Sequence, residues 1–284
     1  MGPEMTQHDN AYAELLGSDV SQWAFGQDFE DPLAGVDTTV PEGLDPTELA
    51  AYCLALGDDA LVLSHRLSEW CSNAPDLEDD IALANIALDL LGQARLLLAR
   101  AAAADPTLVP ALPEGSPVPA EDALAFFREA LEFRNVRFVE APNGDFAQTV
   151  ARLLVFATAR LAAFDRLSAH ADPVLAAIAA KGVKELAYHR DYAGRWFVTL
   201  AQGTEESRRR LVAGLAEIWP LQAELLAAYG VGRDVEVVLE QVFSVAQVDR
   251  PEIEPMTGRG HTEALSRMLA EMQVVARAYP MGLW

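Results

Sequence analysis

Five prolines, Pro106, Pro110, Pro113, Pro117 and Pro119, fall in one short stretch of a chain that otherwise favours helix. Proline lacks the N–H that a helix interior needs, and its ring clashes with the preceding turn, so no helix survives that density. The stretch therefore divides the chain into two helical halves. In the first half, Asp45-Pro46-Thr47-Glu48 opens a helix: Asp45 can cap, Pro46 suits the first helical position and Glu48 can complete a capping box. That helix is predicted to run to Cys71 despite Gly57 in its interior. The turn Asn73-Ala74-Pro75 leads to a second helix over 76–104, built from strong helix formers. The second half repeats the grammar. Asn143-Gly144-Asp145 opens a third long helix to Ser168, and Asp172-Pro173 opens a fourth to Ala201.

Two short-loop pairs joined by a crossing of roughly forty residues form the ferritin-like arrangement, because up-down-up-down bundles need only short loops. Inside the crossing a shorter helix is predicted over 121–134. Beyond the fourth helix, Thr204 caps a fifth that Pro220 kinks or ends, and a last helix covers 262–277. With almost no alternating strand pattern and no internal repeat, the chain reads as all-α. The expected fold is a ferritin-like four-helix bundle with one long crossover and additional C-terminal helices, over residues 45–284. Residues 1–44 are rich in Gly, Asp and Pro and show no helical period. They read as an extended, poorly structured segment whose Trp23, Phe25 and Phe29 could anchor it to a neighbouring surface.

Charge narrows the partners. The 284 residues carry 21 Lys and Arg against 43 Asp and Glu, a net charge of −22. Such a surface repels phosphate backbones and anionic lipid, so neither nucleic acid nor a membrane surface is expected; it favours solubility, or a partner with a basic face. No unbroken apolar run reaches the roughly 20 residues that span a bilayer, and the N-terminus lacks a secretion pattern. A cytoplasmic protein is the expectation. Cys53 and Cys71 are too few for a disulfide framework or a cysteine zinc site and read as small apolar side chains. No phosphate-binding loop, dinucleotide fingerprint or nucleophile elbow occurs.

A bundle of this shape often holds two iron or manganese ions, using a Glu from each of two helices and a Glu-x-x-His from each of the others. The stretch VKELAYHRDY, residues 183–192, comes near that phrase. There, however, His189 follows Glu185 by four residues and Tyr188 stands in the ligand's place. The second helix has no histidine, and offers Asn85, Asp89 and Gln93 spaced by four on one face. The third has no glutamate, and shows Gln148, Thr149 and Arg152 among its polar residues. Only the first, with His65 and Glu69 on one face, matches the pattern. Half of the ligands are missing, so a di-metal site is not expected. Two readings remain for the polar residues. Glu185 and His189 could form an exposed i,i+4 pair. Alternatively Glu69, Asp89, Arg152, Glu185 and His189 could meet inside the bundle as a degenerate metal site, with Arg152 or Lys184 supplying the missing positive charge. Neither reading assigns a catalytic residue. Arg208-Arg209-Arg210 is a basic cluster in an acidic chain, either a solvated helix face or a contact for an acidic or phosphorylated partner.

Four blocks carry a family resemblance: LGDDALVLSHRLSEWCSNAPDLEDDIALANIALDLLGQAR (56–95), PNGDFAQTVAR (142–152), VKELAYHRDY (183–192) and HTEALSRMLAEMQVVARAYPMGLW (261–284). In this order they resemble the third, structural component (the C-subunit) of the bacterial phenylacetyl-CoA 1,2-epoxidases, the ring-1,2-phenylacetyl-CoA oxygenases of aerobic phenylacetate breakdown. The segment before residue 44 is longer than the family pattern. The resemblance implies a ferritin-like structural subunit that lacks metal ligands and supports a homologous catalytic partner, the A-subunit, within a larger complex. That catalytic partner would hold the di-iron centre, and a reductase carrying FAD and an iron–sulfur cluster would bring electrons from NADPH. No cofactor is implied for this chain itself. An obligate, apolar interface is expected, with the first and second helices as candidates. Two alternatives stay open. One is a metal-binding oxidase acting alone through His65, Glu69, Glu185 and His189, and the other is a free-standing helical adapter.

Overall fold

The computed structural model describes Leu33, residues 35–258 and residues 260–282. The expectations for Trp23, Phe25 and Phe29 lie outside the described residues. The described helices all belong to the compact unit Val36–Trp284. They are α1 (Pro46–Ser68), α2 (Leu77–Ala104), α3 (Ala120–Phe126), α4 (Arg137–Glu140) and α5 (Phe146–Leu167). Next come α6 (Pro173–Gln202), α7 (Glu205–Ile218), α8 (Gln222–Tyr229), α9 (Gly232–Ala246) and α10 (Glu263–Ala278). The fold is all-α and ferritin-like: α1 pairs with α2, α5 with α6, and α2 with α6, while the long crossover carries α3 and α4.

The local rules explain the starts. The Asp45 carboxylate accepts the Thr47 N–H at 2.8 Å, Asp145 caps α5 through Gln148 N–H at 3.0 Å, and Asp172 caps α6 through Leu175 N–H at 2.8 Å. Asp76 caps α2 through Asp79 N–H at 2.9 Å. Gly57 stays inside α1 because the two helices nearly touch there: a Cβ on it would stand 3.0 Å from the Leu98 side chain. Gly182 plays the same part between α6 and α5, where a Cβ would come within 2.6 Å of the Phe164 ring.

Three expectations are corrected. The first helix stops at Ser68, three residues early, and a turn leads to α2. The crossover helix predicted over 121–134 ends at Phe126. Two adjacent buried carboxylates on α1 take the chain out of helix beyond that point: Asp58 accepts the Arg134 N–H at 2.9 Å, and Asp59 accepts the Val136 N–H at 2.8 Å. The Arg128 guanidinium also turns inward onto Asp58. Finally, among the described residues, three segments are long and apolar enough to cross a membrane by length and composition: Leu77–Ala104, Phe146–Leu167 and Glu205–Tyr229. The polar residues that interrupt each apolar run on paper do not lower its average enough.

The C-terminal arm is tied back on the crossover. Buried Glu140 accepts from Asn135 Nδ2 at 3.0 Å, from the Thr262 N–H at 2.7 Å and from the Thr262 hydroxyl at 2.7 Å. His261 joins it, with Nδ1 2.6 Å from Glu140 and Nε2 2.8 Å from the Phe133 carbonyl. Both ring nitrogens face acceptors, which favours the imidazolium. The Glu140 hydrogen bond leads in raising the His261 pKa. Burial pushes the Glu140 carboxyl up, but His261 and Thr262 together bring it below its ordinary value.

Candidate functional site

The middle of the four long helices is filled by Arg160 of α5, which is fully buried. Its Nε donates to Gln93 Oε1 of α2 at 2.9 Å, and one terminal nitrogen donates to the Leu56 carbonyl of α1 at 3.2 Å and to the Tyr229 hydroxyl at 2.9 Å. Tyr229 in turn donates to Asp59 at 3.0 Å. The guanidinium also lies 4.4 Å from the Phe164 ring centroid. Gln93 turns its amide nitrogen to Glu185 of α6 at 2.9 Å, and Lys181 covers the same carboxylate at 3.0 Å. The chain of contacts thus links α1, α2, α5, α6 and α8 across the bundle. Burial pushes the Asp59 carboxyl up to about 7, against the Val136 N–H and the Arg160 charge, which favour its ionised form. Burial beside Asp59 likewise raises the Tyr229 phenol well above its ordinary value.

The five residues singled out from the sequence do not meet in one cluster; their hydrogen bonds sort them into separate groups. Glu69 closes the end of α1: it pairs with Arg66 at 2.8 Å and accepts from Asn143 Nδ2 at 2.9 Å. Arg152 belongs to this end, where it donates to the Ala141 carbonyl and to Asn143 Oδ1. Its pKa is lowered to about 10, first by burial and then by the neighbouring Arg66 charge. Arg152 lies eight residues before Arg160, about 12 Å along the helix axis, so it anchors the entry into α5 rather than the bundle centre. Asp89 and His189 form a second group, with His189 Nε2 2.9 Å from the Asp89 carboxylate. His189 is fully buried, and its Nδ1 has no hydrogen-bond partner. Glu185 forms the third group with Gln93 and Lys181. The exposed Glu185–His189 pair is therefore overturned, because both side chains reach across to α2 instead of to each other.

Sequence reasoning missed Arg160, Tyr229 and the Asp58–Asp59 pair. A signal for Arg160 existed, since it repeats Arg152 at a spacing of eight, which keeps it near the same helix face. The two aspartates stood in the open as Gly57-Asp58-Asp59 within an apolar run. Nothing in the local sequence around Tyr229 marks it.

With this geometry in view, comparisons with known proteins decide the family. Residues 36–284 match the family described as phenylacetic acid catabolic protein. This chain belongs to that family. A curated relative is the C-subunit of the 1,2-phenylacetyl-CoA epoxidase of Escherichia coli (strain K12). It is 40% identical over 257 residues, covering 84% of this chain and 99% of the relative. The resemblance seen in the four sequence blocks is thus borne out.

In this member of the phenylacetic acid catabolic family, the central donor set does not suit a transition-metal ion. The converging groups are a guanidinium, an amide, a main-chain carbonyl, a phenol and two carboxylates already committed to donors. A guanidinium is itself a cation and has no lone pair for a metal. Among the described residues, no three His, Cys, Asp or Glu side chains converge in a way that could hold an ion. His65 of the alternative metal set has its pKa lowered, chiefly by burial. The basic cluster is also occupied. Arg209 and Arg210 both pair with Glu206, at 2.8 and 2.7 Å, and Arg208 donates to the Ala201, Ala246 and Gln247 carbonyls. Two open clefts of about 210 and 270 Å³ flank Asp145 and Arg210 at this end, away from the Arg160 network.

Proposed function

We propose that this chain is the non-catalytic structural subunit of a multicomponent di-iron oxygenase that epoxidises the aromatic ring of phenylacetyl-CoA in phenylacetate catabolism. One observation carries the reading: a buried arginine ties the long helices together through Gln93, the Leu56 carbonyl and Tyr229, and that donor set suits a structural centre better than a metal. The likeness to an epoxidase C-subunit supports it and supplies the reaction. The chemistry then belongs to a homologous catalytic partner holding two irons, with electrons from NADPH delivered through a separate flavin and iron–sulfur reductase. This chain contributes a rigid neighbour. A buried ionic and hydrogen-bonded centre fixes the relative positions of the long helices, because any shift leaves charged groups unpaired at low dielectric. A catalytic bundle that must admit a bulky thioester gains from packing on such a support. The net charge of −22 fits a cytoplasmic complex that binds neither nucleic acid nor anionic membranes.

Co-expression with the homologous catalytic partner tests the reading. The expected result is a stable heteromer in which iron and epoxide formation follow the di-iron partner and are lost when its ligands are replaced. Iron held by this chain alone and lost in Glu185→Ala, together with turnover in the absence of any partner, would replace the reading with that of an independent oxidase.

A further inference from the structure

One end of the bundle brings oxidisable rings into contact. Tyr188, Tyr192 and Trp196 follow at spacings of four on α6 and so share one face. The Tyr188 and Tyr192 rings stack with centroids 6.5 Å apart. Phe146, the first residue of α5, stands edge-on between Trp196 at 5.1 Å and Trp70 at 6.0 Å. A single carboxylate joins Trp196 to Tyr192: the indole N–H and the phenol both donate to Asp79 Oδ1 of α2, each at 2.8 Å. Asp79 is buried, and its Oδ2 has no hydrogen-bond partner among the described residues. An aromatic stripe at helical spacing serves packing well enough without a buried carboxylate, whose unpaired oxygen costs free energy. A free lone pair beside two oxidisable donors is what a proton acceptor needs.

We propose that Trp70, Trp196 and Tyr192 form a relay that draws an oxidising equivalent inward and holds it on Tyr192, with Asp79 taking the proton. Electron tunnelling weakens exponentially with distance, so touching oxidisable rings carry charge as a series of short hops. A one-electron oxidant removes an electron from Trp70, and the hole passes to Trp196 with the Phe146 ring as a bridge. Tyr192 then gives its electron to Trp196 and its phenolic proton to Asp79, leaving a neutral tyrosyl radical beside a neutral carboxylic acid. Burial raises the Asp79 pKa even against its two hydrogen bonds, which readies it for that proton. Burial and the Asp79 hydrogen bond raise the Tyr192 pKa, so the proton stays on the phenol until the electron leaves. The cycle closes when an enediol such as ascorbate gives one electron to Tyr192 through the stacked Tyr188 ring, which is 52% exposed, and Asp79 returns the proton. The oxidant is of the class that an oxygen-activating iron centre releases when turnover fails. That source rests on the subunit reading given above, whereas the relay is a property of this chain alone.

The test uses the full-length chain with a ruthenium polypyridyl photosensitiser attached to exposed Cys71, next to Trp70; Cys53 is buried and stays unlabelled. A laser flash with a cobalt(III) ammine quencher leaves ruthenium(III), which takes one electron from the protein. Transient absorption and electron paramagnetic resonance identify the radical. Wild type is expected to give a tyrosyl radical. That signal is lost in Tyr192→Phe and in Trp196→Phe, where the charge stops on a tryptophan. In Asp79→Asn it forms on the order of 100-fold more slowly, because the amide is too weak a base. Tyr279→Phe, at an exposed position on the far side of the sequence, behaves as wild type. In the wild-type radical, coupling to one exchangeable proton that vanishes in heavy water reads the Tyr192–Asp79 pair without any substitution, so a misfolded variant does not block the test. No tyrosyl radical in wild type, a radical undiminished in Tyr192→Phe, or one without that coupling would overturn the relay and leave the subunit reading intact. Loss of the subunit reading through the co-expression experiment would change only the source of the oxidant.

Discussion

Helices α2 and α5 are both long and apolar enough to cross a membrane by composition, yet they use their apolar surface differently. In the most apolar window of α5, 78% of residues are buried inside the protein, against 44% for α2. The more enclosed helix is the one that carries two buried arginines, Arg152 and Arg160. Apolar composition therefore does not tell where a helix faces. The α5 interior is tied by polar contacts: Arg160 reaches Gln93, the Leu56 carbonyl and Tyr229, and Arg152 reaches the Ala141 carbonyl and Asn143. On the outer side of α2, Leu77, Ile81, Leu88 and Leu91 are exposed among the described residues. The first links helices through buried polar contacts, and the second leaves its apolar side chains exposed.

The largest effect expected is at the centre of α5. Arg160→Ala strands Gln93, the Leu56 carbonyl, Tyr229 and Asp59 in a dry interior, and should cost about 3–5 kcal/mol, read from denaturant unfolding. A loss below about 1 kcal/mol would mean that water or a rearranged neighbour takes the arginine's place. Next comes the seat of α6 on α5. Gly182→Ala drives a methyl into the Phe164 ring and should cost about 1–3 kcal/mol by the same measurement.

The tie between α10 and the crossover is smaller and depends on pH. The His261 pKa is raised in the folded state, so its contribution is fully present below the unfolded value of 6.5 and fades as pH rises through the folded value. His261→Gln should therefore lower the unfolding free energy more at pH 6 than at pH 9, by about 1–2 kcal/mol at the acidic end, read from denaturant unfolding at the two pH values. A gap that does not change with pH would show that the imidazolium is not the source. The smallest effect on folding is expected on α2, where Leu88→Asp should change stability by no more than about 0.5 kcal/mol. A loss as large as that of the Gly182 variant would place Leu88 in the fold's own core and remove the contrast between the two helices.

The sequence made the frame legible where the signals were local. Asp45-Pro46, Asp145 and Asp172-Pro173 act through the first turn of their own helices, and each start lies where its cap stands. The proline run marked the crossover for the same reason. The helix predicted over 121–134 failed because its end is decided by Asp58 and Asp59, which lie some seventy residues away on α1 and claim its backbone N–H groups. Distance along the chain also hid the centre of the bundle. Arg160, Gln93, Tyr229 and Asp59 lie on four different helices, and no spacing rule joins them. Arg152 drew attention as the first cation in its helix, about two turns ahead of Arg160. The exposed stripe on α2 was half visible: the helix read as apolar on most of its circumference, but only the fold shows which stripe remains outside.

Metal analysis of the purified, full-length chain, produced without any partner in iron-supplemented medium, most directly tests the claim that an arginine fills the centre of this bundle. The account predicts iron and manganese far below one ion per chain, unchanged in Arg160→Ala and Glu185→Ala. Near-stoichiometric iron that disappears in the Glu185 variant would contradict it.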